Sequence, residues 1–463
     1  MTDFLTAAQR TAGAGHDLVP LVQDTVTGVI YGKDGSPVSV DVARAAHLPA
    51  IYRSNEGAPI WFGSLIRGVT FNQTASLSTV DATYGLKIEA ESDFDAVAVC
   101  WRNRGANPMT ACNAIVGVTE TADTTTNASI SQVVIGGIAY GQLAPAGSVL
   151  GWRPVTWGGN ATVTIGSGAS AVQWAVSDFI PLSSIPRADG GTRPLVMIRA
   201  HHNGVAEPHV FIDSTTGQAA RTATYANRGR IAQISDVTNG VTNPAATGGL
   251  TVAGFEVFPI FRYRKPCINV MCCGDSIQQN NALVADSVSS AGWRASADAS
   301  TPSRPVHYQN LSASGKSFDE YWARGKELIN AGVVPQVLII TPWSINDGFT
   351  TPDRQIETGR SRCTDILKYA YQKGIEYVVW FPILPFNTMT SAQDGFRKSY
   401  NAFLQAMAAD NFGTKALSFA VGNGATPEQW IAGLNFGDGT HPNEVCIDTV
   451  MAPAMTQIIR ALP

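Results

Sequence analysis

Two rhythms divide the chain. From about residue 56 to 265, short apolar or alternating runs are separated by Gly-, Asn- and Pro-rich turns such as Asn103 to Pro108 and Gly190-Gly191. The largely apolar run Phe94 to Trp101 reads as a buried strand. Ala161 to Ile165 alternates, which predicts a strand with one wet face. Val133 to Ile135, Leu195 to Ile198 and Val252 to Phe261 are further strands. Many short strands without a long helical period predict an all-β sandwich of jelly-roll type over 56–265. Residues 1–55 form a separate N-terminal segment, a short helix-like stretch followed by Asp34-Gly35 between Val-rich pieces, which is a hairpin signal. No repeat of fixed period is present.

Arg262 to Pro266 marks a boundary. Beyond it, Ile268 to Cys273, Val306 to Leu311, Val337 to Ile340 and Tyr377 to Phe381 are short, mostly apolar strands. Helical periods over about 354–373 and 392–410 alternate with them, and Pro442 is expected to start a terminal helix from Asn443 to Leu462. Apolar strands alternating with helices indicate a parallel sheet covered on both faces. Residues 266–463 are therefore expected to form an α/β domain.

A chain of 463 residues exceeds one core and fits this division. Only 15% of residues are charged, so Ser, Thr, Asn, Gln and Gly must cover much of the surface, as is common on extracellular and virion β-proteins. A formal charge of −4 offers no basic footprint for nucleic acid. No run approaches 18 apolar residues, which argues against a membrane span, and Met1 to Pro20 lacks the pattern of a signal peptide. The seven cysteines lack zinc-type spacing, and Cys272-Cys273 inside an apolar run suit buried thiols better than disulfides.

The candidate chemistry lies in the last third. Gly274-Asp275-Ser276 sits where a strand ends and a helix should begin; Gly274 would tolerate unusual backbone angles there. Taken alone, the tripeptide reads better as a plain turn with its cap, since Ser and Asp are ordinary caps. Asp438-Gly439-Thr440-His441-Pro442 presents His441 on a loop, three residues after a carboxylate able to set its tautomer. That pair alone also fits a loop cap beside a surface histidine. If the sheet is parallel, Ser276, Gly315 and Asn346 each follow a different strand end. Ligands of open α/β sheets bind along that edge. A Gly315 N–H and the Asn346 amide would then be placed to bind an oxyanion.

Over 266–463 the chain resembles the SGNH (GDSL-type) hydrolases, with the motifs in the family's order. Gly274-Asp275-Ser276 is similar to the nucleophile motif, and Asn310 to Gly315 to the segment carrying the oxyanion glycine. Ser344-Ile345-Asn346-Asp347 is similar to Gly-x-Asn-Asp, with Ser344 where the family has Gly, and Asp438 to His441 to Asp-x-x-His. The resemblance implies a flavodoxin-like sheet and an esterase needing no cofactor or metal. Ser276 would be the nucleophile, His441 the general base and acid, and Asp438 its orienting partner. The Ser276 N–H, the Gly315 N–H and the Asn346 side chain would form the oxyanion hole.

Other chemistries find little support. There is no Gly-x-Ser-x-Gly elbow, since Gln278 stands at the second Gly position, and no Walker loop or zinc helix. His201, His202 and His209 are read as solvated loop residues rather than metal ligands, and His307 as a core residue. Trp343 is either a sugar platform or packing; Trp101, Trp152, Trp157 and Trp174 suit sugar contact or a sandwich core. A β-domain before an esterase resembles carbohydrate-active members, implying removal of O-acetyl groups from a bacterial surface polysaccharide. The organisation also resembles phage tail spikes, which implies a virion-borne homotrimer; a bacterial cytoplasmic enzyme is the other setting. The alternatives are a lipase-like enzyme for longer acyl chains and an inactive binding or structural tail protein.

Overall fold

The computed structural model describes residues 22–23, 30–31, 61–64, 81–119 except 91 and 104–105, 133–135, 138–140, 152–167, 173–182, 195–203, 230–235, 241, 257–264, 267–279, 290–349 except 302, 313 and 331–332, and 352–462 except 412. The expected N-terminal helix and the Asp34-Gly35 hairpin lie outside these residues. Within that segment Val22–Gln23 pairs antiparallel with Ile30–Tyr31.

The β-rich region contains two antiparallel sheets. One runs Val163–Ile165, Met109–Thr119, Leu195–Asn203, Asp81–Glu89, Arg230–Ser235, and Arg153–Pro154 also pairs with Met109–Thr119. The other runs Gln173–Val176, Phe94–Asn103, Val257–Tyr263, Trp61–Ser64, with Ile180–Pro181 also on Phe94–Asn103. Phe94–Asn103 has partners on both sides, and Ala96 through Trp101 are all buried. An interior strand covered on both faces accounts for its unbroken apolar run. Val97, Val99 and Trp101 from this sheet share one apolar cluster with Cys112, Val116, Val196 and Ile198 from the other.

One reading is corrected here. His201 and His202 are not loop residues: both lie in the Leu195–Asn203 strand and are buried, at 4% and 0% exposure. A nine-residue strand paired on both sides carries them inward, overriding the polarity that suggested a loop. The strand expected at Val252 is described only from Val257 and continues to Tyr263.

Past Tyr263 the pairing becomes parallel. Strands β1 (Ile268–Cys273), β2 (Val306–Asn310), β3 (Val337–Ile340), β4 (Tyr377–Trp380) and β5 (Thr414–Ala416) form one sheet in the order β2-β1-β3-β4-β5. This 2-1-3-4-5 order is that of flavodoxin-like sheets, whose chain reverses direction of travel between β1 and β3. The helices are α1 (Ser276–Gln279), α2 (Ala291–Ala299), α3 (Phe318–Asn330), α4 (Pro352–Lys373), α5 (Ser391–Asp410) and α6 (Ala452–Ala461). Strand side chains alternate between faces. Val270, Cys272, Ile339 and Val379 pack with Trp293 of α2 and Met455 and Ile459 of α6. Met271, Cys273, Leu338, Ile340 and Trp380 pack with Tyr321 of α3, Ile366 of α4 and Tyr400 of α5. Burying each aliphatic side chain of this kind contributes roughly 1.5–3 kcal/mol.

The terminal helix covers the expected span, from its Asn443 cap to Leu462, but Pro442 stands outside it and a π-turn widens it. Pro442 pairs with Asn435 in an isolated bridge, and Asn443 caps a turn, Glu444–Cys446, through its side chain and the Cys446 N–H. A π-turn, Ile447–Met451, then precedes α6. Pro453 is the physical reason: its ring has no N–H to donate and would collide with the carbonyl one α-turn back, so the helix widens before it. Among the described residues no helix is long and apolar enough to cross a membrane. All seven cysteines are buried and unbridged.

Candidate active site

The loop after β1 is tied by hydrogen bonds at nearly every residue. The Asp275 N–H donates to Gln278 Oε1 at 2.9 Å, and Gln278 Nε2 donates to Thr341 Oγ1 at 2.5 Å, joining the β1 and β3 loops. Asp275 Oδ1 accepts from the Ile277 N–H at 2.9 Å. Gly274 does not have a positive φ, so its expected role in unusual backbone angles is corrected. It is small for another reason: a Cβ there would lie 2.7 Å from Gln278 Cγ and displace the carboxamide that holds the turn. Burial raises the Asp275 carboxyl above its ordinary pKa, against bonds from the Ile277 N–H and the Ser344 hydroxyl. Cys272 and Cys273 end β1, but burial pushes Cys272 up to about 11 and Cys273 well above the usual thiol value. Both stay protonated, leaving Ser276 as the nucleophile candidate at this loop.

His441 reaches Ser276 from the opposite end of the domain sequence. Its Nε2 lies 2.8 Å from Ser276 Oγ, and its Nδ1 lies 2.6 Å from Asp438 Oδ2. The other Asp438 oxygen accepts from the Thr440 N–H at 2.8 Å and the His441 N–H at 2.9 Å. One carboxylate therefore both folds the loop and orients the ring. Partial burial works against its charge, yet the bonds from the His441 N–H, the His441 ring and the Thr440 N–H prevail and hold its pKa below the carboxylate norm. Asn435 supports the same loop: its Oδ1 accepts from the Gly437 and Gly439 N–H groups at 2.6 and 3.1 Å, and its Nδ2 donates to the His441 carbonyl at 3.2 Å. Gly439 has φ 76° and sits against Asn387, where a Cβ would approach Asn387 Cβ to 2.9 Å.

The loops carrying the two expected oxyanion donors join this arrangement. Gly315 adopts φ 70°, and its neighbour Ser314 donates its N–H to Gln279 Oε1 in α1. Asn346 lies in the 3-10 turn Ile345–Asp347 after β3. Its Nδ2 donates to the Lys316 carbonyl at 3.1 Å and to Ser344 Oγ at 3.2 Å, which links the β2 and β3 loops. Ser344 Oγ in turn donates to Asp275 Oδ2 at 2.7 Å. Asp347 accepts from the Ser344 N–H at 2.8 Å and faces Arg362 at 3.2 Å, and that guanidinium lies over the Phe318 and Trp343 rings at 4.4 and 4.9 Å.

Ser276, Asp438 and His441 thus meet directly, while Gly315 and Asn346 sit on loops bonded to the nucleophile turn. Ser276, Gly315 and Asn346 follow the ends of β1, β2 and β3, at the edge where the β1–β3 reversal opens a crevice. Gln278, Ser344, Asn435 and Arg362 were not anticipated as supports. Gln278 had a sequence signal, as the residue that breaks the Gly-x-Ser-x-Gly pattern. Trp343 is packing: it is 4% exposed, edge-on to Phe396 at 5.4 Å. His307 is buried in β2, and Trp101, Trp152 and Trp157 are buried while Trp174 is half-buried. Among the described residues no three His, Cys, Asp or Glu side chains are grouped to hold a metal ion; His209 lies outside them.

No family model matches this chain, and no curated protein matches it. Solved structures do. A member of the lipolytic protein G-D-S-L family from Veillonella parvula is 18% identical and covers 42% of this chain and 100% of its own, with a TM-score of 0.32. The psychrotrophic esterase EstA from a Pseudoalteromonas species is 16% identical, with 42% and 92% covered and a TM-score of 0.30.

Proposed function

We propose that the protein is a serine ester hydrolase of the SGNH type, its chemistry carried by 266–463. The observation that supports this most is the relay from Ser276 Oγ to His441 Nε2 at 2.8 Å and from Nδ1 to Asp438 at 2.6 Å. With Asp438 accepting the Nδ1 proton, Nε2 carries a lone pair toward the serine hydroxyl. His441 then takes the Ser276 proton as Oγ attacks the acyl carbon, and the imidazolium is stabilised by the Asp438 carboxylate. The negative charge on the tetrahedral oxygen falls to the Ser276 N–H, the Gly315 N–H and the Asn346 amide. One such donor is worth about 3 kcal/mol of transition-state stabilisation. His441 returns the proton to the departing alcohol, and water attacks the acyl-serine by the same steps in reverse order.

The finer reading is removal of O-acetyl groups from a polysaccharide. In it, residues 56–265 form a jelly-roll sandwich mounted before the esterase, and the shared apolar cluster of the two antiparallel sheets supports their stacking. The buried Trp101, Trp152 and Trp157 lend nothing to sugar contact by that domain. Carriage on a phage tail as a homotrimer, or a place in a bacterial cytoplasm, rests on chain organisation alone. A second reading, esters of longer acyl chains, is favoured by Ile431, Phe436 and Val445, which are 37%, 49% and 54% exposed on either side of the Asp438–His441 loop.

Turnover of a chromogenic acetate ester, abolished by Ser276→Ala together with labelling by a serine-directed phosphonate, is the expected result. Turnover that survives Ser276→Ala refutes the serine mechanism, and no turnover or labelling of the wild type leaves a binding or structural protein. Acetate preferred over octanoate favours the polysaccharide reading; the reverse favours the longer chain. Acetate release from a panel of acetylated bacterial polysaccharides identifies the substrate.

A further inference from the structure

Ser344 occupies the position where the resemblance calls for glycine, and its surroundings give the side chain work to do. It is fully buried, with φ −87° and ψ 149°, an extended backbone that any residue adopts. Four polar groups converge on its hydroxyl: Asp275 Oδ2 at 2.7 Å, the Asn346 N–H at 3.0 Å, the Lys316 carbonyl at 3.1 Å and Asn346 Nδ2 at 3.2 Å. A hydroxyl has one proton and two lone pairs. Asp275 Oδ2 is the closer acceptor, so it takes the proton. The two lone pairs then accept both N–H groups of Asn346. The Lys316 carbonyl remains for Asn346 Nδ2, so the amide is held from two sides.

We infer that Ser344 is a positioning residue for the oxyanion hole: its hydroxyl couples the Asn346 amide to the nucleophile turn through Asp275. This rests on the hydrolase reading above. The inference follows from the order of bonds. Asp275 is the residue before Ser276, and its carboxyl accepts from the Ile277 N–H and from the Ser344 hydroxyl. A shift of the nucleophile turn is therefore transmitted to the Asn346 amide through the Asp275 carboxyl and the Ser344 hydroxyl. When negative charge develops on the substrate oxygen, the longer of the two Asn346 Nδ2 contacts, that to Ser344, is the one that yields, while the backbone N–H bond keeps the residue in register.

The test is a double-mutant cycle on acetate-ester turnover by the full chain. Asn346→Ala should lower kcat by about a hundredfold or more, the usual loss for one oxyanion donor. Ser344→Ala and Ser344→Gly should each lower kcat about tenfold with KM little changed, the scale of one hydrogen bond. Placed in the Asn346→Ala background, either change should cause no further loss, because the amide it positions is gone. Phosphonate titration of Ser276 counts correctly folded sites, so a variant that folds poorly is corrected for, and the glycine variant serves if the alanine one does not fold. Losses that multiply in the double variant, an effect on KM alone, or full activity in Ser344→Ala while Ser276→Ala is dead would each overturn the inference. Turnover in Ser276→Ala would instead remove the hydrolase reading on which it stands.

Discussion

Replacing Asp438 by Asn separates the two jobs of that carboxylate. Its Oδ1 accepts from the Thr440 and His441 N–H groups, and its Oδ2 accepts from the His441 ring. An asparagine keeps one carbonyl oxygen, which still serves the two backbone donors, so the loop should stay folded. Its amide nitrogen then faces Nδ1, and two donors cannot share a 2.6 Å contact. The imidazole must move its proton to Nε2, which leaves no lone pair toward Ser276. Forcing the wrong tautomer in a triad of this kind costs about ten-thousand-fold in kcat, or about 5.4 kcal/mol of barrier. Asp438→Ala loses the backbone bonds as well, adding about 1–3 kcal/mol of loop destabilisation. The assay is kcat on an acetate ester beside the midpoint of thermal unfolding for wild type and both variants. Asp438→Asn should be nearly inactive with an unchanged midpoint, and Asp438→Ala inactive with a lower one. An Asp438→Asn variant that retains a tenth of wild-type kcat would refute the tautomer argument.

The Asp438–His441 loop should also be sensitive at Gly439: Gly439→Ala places a Cβ at φ 76° and 2.9 Å from Asn387 Cβ, costing about 1–2 kcal/mol from the left-handed backbone alone. The expected result is a fall in kcat of at least about tenfold, with hydrogen exchange of β1 and β3 amides unchanged; wild-type kcat would refute it. Asp275 gives a pH signature. Because burial raises its carboxyl in the fold, the folded chain binds that proton more tightly than the unfolded one. The stability it contributes is complete below the ordinary carboxylate value of about 3.9 and is lost as pH rises through the folded value. Asp275→Asn does not titrate, so urea midpoints should show wild type losing stability relative to the variant as pH rises above the ordinary carboxylate value of about 3.9. A constant difference would contradict the raised value. Arg362→Met removes the partner of Asp347, whose other bonds cap the turn that holds Asn346. That variant should lose kcat more than KM, and an unchanged kcat would show that the turn holds without the ion pair.

What the sequence disclosed follows from how local each cause is. Ile268–Cys273 and Val337–Ile340 are buried at every residue, so their apolar runs announced interior parallel strands. Thr414–Ala416 is a three-residue edge strand with an exposed lysine, and no pattern that short could mark it. Ser276 and the Asp438–His441 pair were visible because each motif lies within a few consecutive residues. The terminal helix was legible because its Asn443 cap is local, whereas the π-turn before Pro453 has no short pattern to announce it. His201 and His202 were misread because polarity was weighed without the two strands that flank them.

The supports of the site were hidden for a different reason. Gln278 bonds to a residue 63 positions away, and Ser344 to one 69 positions away. Such bonds have no spacing in the chain; they exist because the 2-1-3-4-5 order sets the β1 and β3 loops side by side. From sequence alone Ser344 could be seen only as a departure from a motif. With the sheet in place, the same hydroxyl is seen to bond both Asp275, beside Ser276, and the Asn346 amide. The residue that departs from the resembled motif makes hydrogen bonds of its own, on an extended backbone that does not require glycine.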